Sequence, residues 1–210
     1  MTEIAAMTVS QRRIRVRFCF ALCVTFAALS LAPAGRAQEF VVQLDPAQTK
    51  IEFTLGSTLH TVEGTFKLKS GTIRFDRTSG KIGGSIIVDA TSGESGNAGR
   101  DRKMHREILE SNKYPEIIFT PSQVKGTFDP KGASKLEVSG QFRLHGQDHD
   151  LTLPIDIQPS GRQLRMATHI TIPYIKWGLK NPSTFILRAS DKVELDIHAA
   201  GQLVDEGTTR

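Results

Sequence analysis

The chain of 210 residues predicts an all-β, antiparallel domain with one short inserted helix. Three observations predict it. Apolar and polar residues alternate with a period of two along most of the chain, Gly and Pro interrupt that alternation at short intervals, and a single segment is spaced for a helix.

The alternation is clearest from Leu136 to His145, where Leu136, Val138, Phe142 and Leu144 share one face and Glu137, Gln141 and Arg143 the other. In chain order the same rule groups Ile51, Phe53 and Leu55, then Val62, Phe66 and Leu68, then Ile82, Ile86 and Val88. It then groups Leu151, Leu153, Ile155 and Ile157, Leu164, Met166, Ile170 and Ile172, and finally Val193, Leu195 and Ile197. One apolar face per strand is the mark of an antiparallel sheet, because strands of parallel sheets are buried on both faces. Thr78-Ser79-Gly80, Asp129-Pro130-Lys131-Gly132, Gly146-Gln147-Asp148 and Pro159-Ser160-Gly161 supply the turns. Many short strands joined by hairpins make a sandwich or a barrel.

The helical segment runs from Asn97 to Ser111, with Asn97 as its cap and Met104, Ile108 and Leu109 on one side. Tyr114-Pro115 forces extended backbone after it. Such a helix either closes one end of a barrel or crosses its surface. Lys176 to Pro182, around the sole tryptophan Trp177, reads as a loop before the last strand.

Ahead of these elements Arg12, Arg13, Arg15 and Arg17 precede an uncharged apolar run from Phe18 to Ala32, which ends before Gly35-Arg36-Ala37. This is the pattern of a cleavable secretory signal over residues 1–37, too short for the ~20 apolar residues of a membrane span. The general secretory and twin-arginine routes both fit the Arg12-Arg13 pair. Residues 38–210 then form one domain, periplasmic or secreted.

Loss of the leader takes five of the 27 Lys and Arg but one of the 22 Asp and Glu, which leaves 22 against 21. The whole-chain pI of about 9.4 therefore carries no argument for nucleic acid as a partner. Both cysteines, Cys19 and Cys23, lie in the leader, so disulfide and thiol chemistry are excluded from the domain.

Catalytic motifs are thin. Ser95 in Gly93-Glu94-Ser95-Gly96-Asn97 lacks the final glycine and the strand–helix alternation of a nucleophile elbow and reads as a turn residue. His145 and His149 flank a turn, and none of the six histidines forms a helical zinc motif. The small-residue loop Gly93 to Asp101 has two readings: its backbone N–H groups, with Arg100, Arg102 and Lys103 nearby, hold an anionic or polar head group, or its glycines only let the chain turn while Arg100 and Asp101 make structural hydrogen bonds.

The ordered set His60-Thr61-Val62-Glu63-Gly64-Thr65-Phe66, Gly71-Thr72-Ile73-Arg74-Phe75, Ser95-Gly96-Asn97 with Arg100-Asp101 and Met104-His105, Tyr114 to Phe119, Val138 to Gly146 and Lys192 to Leu195 resembles the YceI family. These are secreted, lipocalin-like, polyisoprenoid-binding proteins, and the pieces cover nearly all of residues 40–200. The resemblance implies a lipocalin-like eight-stranded antiparallel barrel whose lumen holds an isoprenoid lipid, a polyprenyl chain or a quinone tail. Phe53, Phe66, Ile86, Val88, Phe119, Val138, Phe142, Leu144, Leu153, Ile155, Ile170 and Trp177 are then the candidate lumen residues. Asn97, Arg100, Asp101 and His105 are the candidates for the head group. No cofactor, metal or catalytic set is implied, and transient membrane contact is compatible with a lipid carrier. An enzyme acting on such a lipid at the barrel mouth, and a solid barrel working through its outer surface, are the two rival readings.

Overall fold

The computed structural model describes residues 39–76 and 79–204; the expected leader, both cysteines and part of the first turn lie outside the described residues. The strands are β1 (Glu39–Leu44), β2 (Lys50–Leu55), β3 (Val62–Asp76), β4 (Ile82–Glu94), β5 (Glu116–Lys125), β6 (Ser134–Leu144), β7 (Gln147–Ser160), β8 (Gln163–Ile172) and β9 (Val193–Val204). All pairings are antiparallel, running β2-β9-β8-β7-β6-β5-β4, and β3 pairs with both β4 and β2 to close the ring. β1 also pairs with β3 and β9, so β1 and β2 occupy one position in the wall. The result is the expected eight-stranded barrel, with one wall position built from two short strands.

The joint between those two strands is a 3-10 turn, Pro46–Gln48. The Asp45 carboxylate caps it by accepting from the Ala47 N–H at 2.8 Å. Phe40, Val42 and Leu44 face inward before the joint and Ile51 and Phe53 after it. β1 was not anticipated, because six residues interrupted by a proline turn are too short for alternation to stand out.

Between β6 and β7 the turn is His145-Gly146, one step earlier than expected, with Leu144 opposite Gln147. Both turn residues have positive φ, 53° and 75°. That left-handed pair suits a two-residue hairpin, whose twist then matches the strands. In β3 an extra residue at Lys69 breaks the register between Leu68/Val88 and Ser70/Ile87. Inward positions consequently change from Phe66 and Leu68 to Ile73 and Phe75.

The helix differs from expectation. α1 (Ala98–Lys103) is capped by Asn97 as the sequence predicts, but Met104–Ile108 continues as one π turn, and the Leu109 N–H donates to the Met104 carbonyl at 2.9 Å. His105 accounts for the change: its ring nitrogens lie 2.8 Å from the Gly93 carbonyl and 3.0 Å from Ser111 Oγ, which pins the turn to β4. The wider turn still presents Met104, Ile108 and Leu109 to the barrel.

The outer wall is polar. Arg143 holds Asp148 through two bonds of 2.8 Å, Lys135 meets Asp156 at 2.6 Å, and Gln141 donates to Asp150 at 2.6 Å. A polar exterior around an apolar interior is the reverse of a transmembrane barrel. Among the described residues no helix is long and apolar enough to cross a membrane.

Candidate functional site: the barrel lumen

Inward side chains from all nine strands enclose an apolar cavity of about 240 Å³ along the barrel axis. Its lining has no charged residue, and only Thr49 and Thr168 bring side-chain polar atoms. A second, wider cavity of about 460 Å³ lies at the end where α1 and the connections 56–61 and 173–192 meet. Phe66, Ile117, Phe142 and Leu195 line both cavities, so the two are consecutive stretches of one lumen. Their size falls within the ~300–1,000 Å³ scale of small-molecule sites when taken together.

Phe66, Ile86, Val88, Phe119, Val138, Phe142, Leu153, Ile155 and Ile170 line the inner cavity. Phe53 and Leu144 line the outer one. Gly64 lies opposite Phe53 in the β2–β3 ladder, and a Cβ there would stand 2.4 Å from the Phe53 ring. The absent side chain lets that ring lie flat on the strand, where it meets Phe66 at 5.4 Å between centroids. Trp177 lines neither cavity. It packs instead against the core at the barrel end, stacked on His149 at 4.2 Å with planes 3° apart and 5.8 Å from Phe142, the residue opposite His149 in the β6–β7 ladder. A loop tryptophan has no strand parity, so its direction could not be read from spacing.

The polar candidates divide by role. Arg100 lines the outer cavity, together with Ser95, Lys103 and His60. Arg100 Nε donates to Ser95 Oγ at 2.7 Å and Nη2 donates to the Ser95 carbonyl at 2.6 Å. Asn97, Asp101 and His105 do not line it. Asn97 accepts the Gly99 and Arg100 N–H groups, each at 3.0 Å, so those donors are already used. Asp101 accepts the Ser95 N–H at 2.9 Å and the Ser95 hydroxyl. These residues hold the loop that positions Arg100.

The connection 173–192 roofs this end. Tyr174 and Leu179 are buried beneath it, and the Tyr174 hydroxyl donates to the Ser190 carbonyl at 2.6 Å. Burial, reinforced by Asp191, pushes that phenol up to about 12. Lys103 Nζ donates to the Pro182 carbonyl at 3.2 Å and so ties the helix to the roof. Among the described residues no group of three or more His, Cys, Asp or Glu could hold a metal.

Sequence reasoning missed Phe40, Val42 and Leu44 on β1, Ile73 and Phe75 beyond the bulge, and Thr168, whose buried hydroxyl has no hydrogen-bond partner among the described residues. Thr168 could have been found: it is the polar member of the inward set Leu164, Met166, Ile170 and Ile172.

Comparison with known proteins supplies the remaining findings. The model of the YceI-like domain family matches residues 42–200. A UPF0312 protein of Vibrio parahaemolyticus is 27% identical over 139 residues, 64% of this chain and 70% of the relative. One from Vibrio cholerae is 24% identical over 183 residues, 83% of this chain and 93% of its own. Among solved structures, Burkholderia cenocepacia BcnA superposes with a TM-score of 0.63 at 18% identity, covering 75% of this chain and 98% of BcnA. A polyisoprenoid binding domain from Saccharophagus degradans, implicated in plant cell wall breakdown, gives 0.58 at 16% identity, covering 78% and 98%. At these identities the likeness establishes the shared fold.

Proposed function

The chain belongs to the YceI-like domain family, and from that premise we propose that it binds a long isoprenoid lipid, a polyprenyl chain or quinone tail, in the barrel lumen as carrier or reservoir. One observation carries the reading: the inner cavity is lined without charge, whereas Arg100, Lys103, Ser95 and His60 gather at the outer cavity alone. A hydrocarbon tail has no hydrogen-bonding group and gains affinity from apolar area removed from water, at roughly 25 cal/mol per Å². The polar head belongs at the end where polar side chains are. Binding rather than catalysis also fits His105, Asp101 and Asn97, which are committed to hydrogen bonds within the loop.

Native mass spectrometry on protein purified without detergent tests this. A retained lipid of isoprenoid mass supports the carrier, conversion of that lipid during incubation makes it an enzyme, and an empty barrel that takes up no added prenyl lipid overturns the reading. The export proposal has its own check: protein recovered from the cell envelope or medium should begin near Gln38, and an intact leader on soluble protein would overturn it.

A further inference from the structure

The end of the barrel that carries the outer cavity also carries exposed apolar side chains. Thr184 to Leu187 forms a tight turn, closed by the Thr184 N–H to the Leu187 carbonyl at 2.8 Å and by the Leu187 N–H to Thr184 Oγ1 at 3.1 Å. Its tip is Phe185-Ile186. Turn tips are ordinarily Gly, Asn, Asp or Ser. Here Phe185 is 103% and Ile186 78% exposed, while the next residue, Leu187, lines the outer cavity.

The neighbouring connection adds a third such residue. Thr58 N–H donates to the Arg188 carbonyl at 3.0 Å, Arg188 N–H donates to Thr58 Oγ1 at 3.2 Å, and Ser57 bridges Ala189. The two connections are thus laced together, and Leu59 stands 64% exposed beside the lacing. Of the large exposed apolar side chains among the described residues, only Val204 is elsewhere, on the last strand at the opposite end.

Charge at this end is positive on balance. The connections 56–61, 95–115, 145–146 and 173–192, which antiparallel topology puts together, hold nine Lys and Arg against four acids, Asp101, Glu107, Glu110 and Asp191. Asp101 is held by Ser95, and Glu107 is paired with Arg106 at 2.6 Å. Residues 38–210 as a whole are nearly neutral, so the excess is local to the mouth.

We propose that this end docks on an anionic lipid bilayer, with Phe185, Ile186 and Leu59 entering the apolar boundary and the surrounding cations meeting the headgroups. A protruding apolar tip on a barrel end rich in Lys and Arg is the chemistry of interfacial membrane binding, and it places the mouth of the lumen against the source of its cargo. The inference rests on the lipid-binding reading for its purpose, though the docking itself does not require an occupied lumen.

Flotation of protein expressed from the full chain, with vesicles of phosphatidylglycerol and phosphatidylethanolamine, tests it. The wild type should float, should float less at high salt, and should ignore phosphatidylcholine vesicles at equal concentration. Phe185→Ser combined with Ile186→Ser should weaken binding more than about tenfold, as expected when two apolar side chains are withheld from lipid. Val204→Ser should change nothing. A wild type that stays in solution, or a double variant that floats equally well, overturns the proposal. So does a lipid-free dimer that the double variant dissolves, since the tip would then serve a second copy. Native mass spectra of the same samples separate this from the carrier reading. Lipid retained without flotation defeats docking alone, and flotation of a barrel that never holds lipid leaves docking standing and defeats the carrier.

Discussion

Gln141 and Phe142 are consecutive in β6 yet belong to opposite sides of the wall: Gln141 donates to Asp150 outside at 2.6 Å, and Phe142 lines both cavities inside. Phe142→Arg puts a cation where the lining offers no partner, at a desolvation cost of several kcal/mol unless the side chain reaches the outer cavity. Phe142→Leu keeps the surface apolar and should lose little. Gln141→Arg stays outside and should be nearly silent. Lipid co-purified per folded protein, with circular dichroism as the control for folding, ranks the three. Loss of lipid in Gln141→Arg with retention in folded Phe142→Arg would reverse the assignment of inside and outside.

Arg100 is expected to discriminate head groups. Arg100→Ala should weaken a prenyl phosphate by about tenfold, ~1.4 kcal/mol, and leave the matching prenyl alcohol almost unchanged. The difference should shrink as salt rises. Equal losses for phosphate and alcohol would mean that the guanidinium serves only to hold Ser95.

Tyr174 gives a pH signature. Its neutral form is favoured in the folded state, so its contribution to stability is complete below the unfolded value near 10 and is lost as pH rises toward about 12. Absorbance at 295 nm should show a late ionisation near pH 12, and Tyr174→Phe should remove that step. The same variant should cost about 1 kcal/mol in thermal or denaturant unfolding, for the lost bond to the Ser190 carbonyl. A titration with no late step would mean that the roof is open to water.

How much of this was legible in the chain follows from which signals have a period. Strand parity carried far: the alternation in β6 and β7 correctly set Val138, Phe142, Leu153 and Ile155 on the lumen side. Asn97 was readable as a cap because a cap is a local hydrogen bond. The π turn was not, since it depends on His105 meeting Gly93 twelve residues back. Trp177 and Phe185 lie on a connection without regular backbone, where neither direction nor exposure has a sequence signal. The roles of Arg100 and Asp101 look alike in the sequence. They part only because both converge on Ser95, one from the cavity side.

The extra residue at Lys69 makes β3 behave like a message with a single inserted letter, read in one frame before it and in another after it. Deleting Lys69 would restore unbroken alternation with Leu68, Ile73 and Phe75 still facing the lumen, at the modest cost of an exposed pair with Glu116. Deleting Thr72 would keep the same parity, since any one residue lost between Leu68 and Ile73 leaves them four apart, whereas a deletion beyond Ile73 would turn Phe75 out to water and bring Arg74 in. Changes of length in this strand are therefore best absorbed between Leu68 and Ile73, and deletions among relatives should collect at residues 69–72.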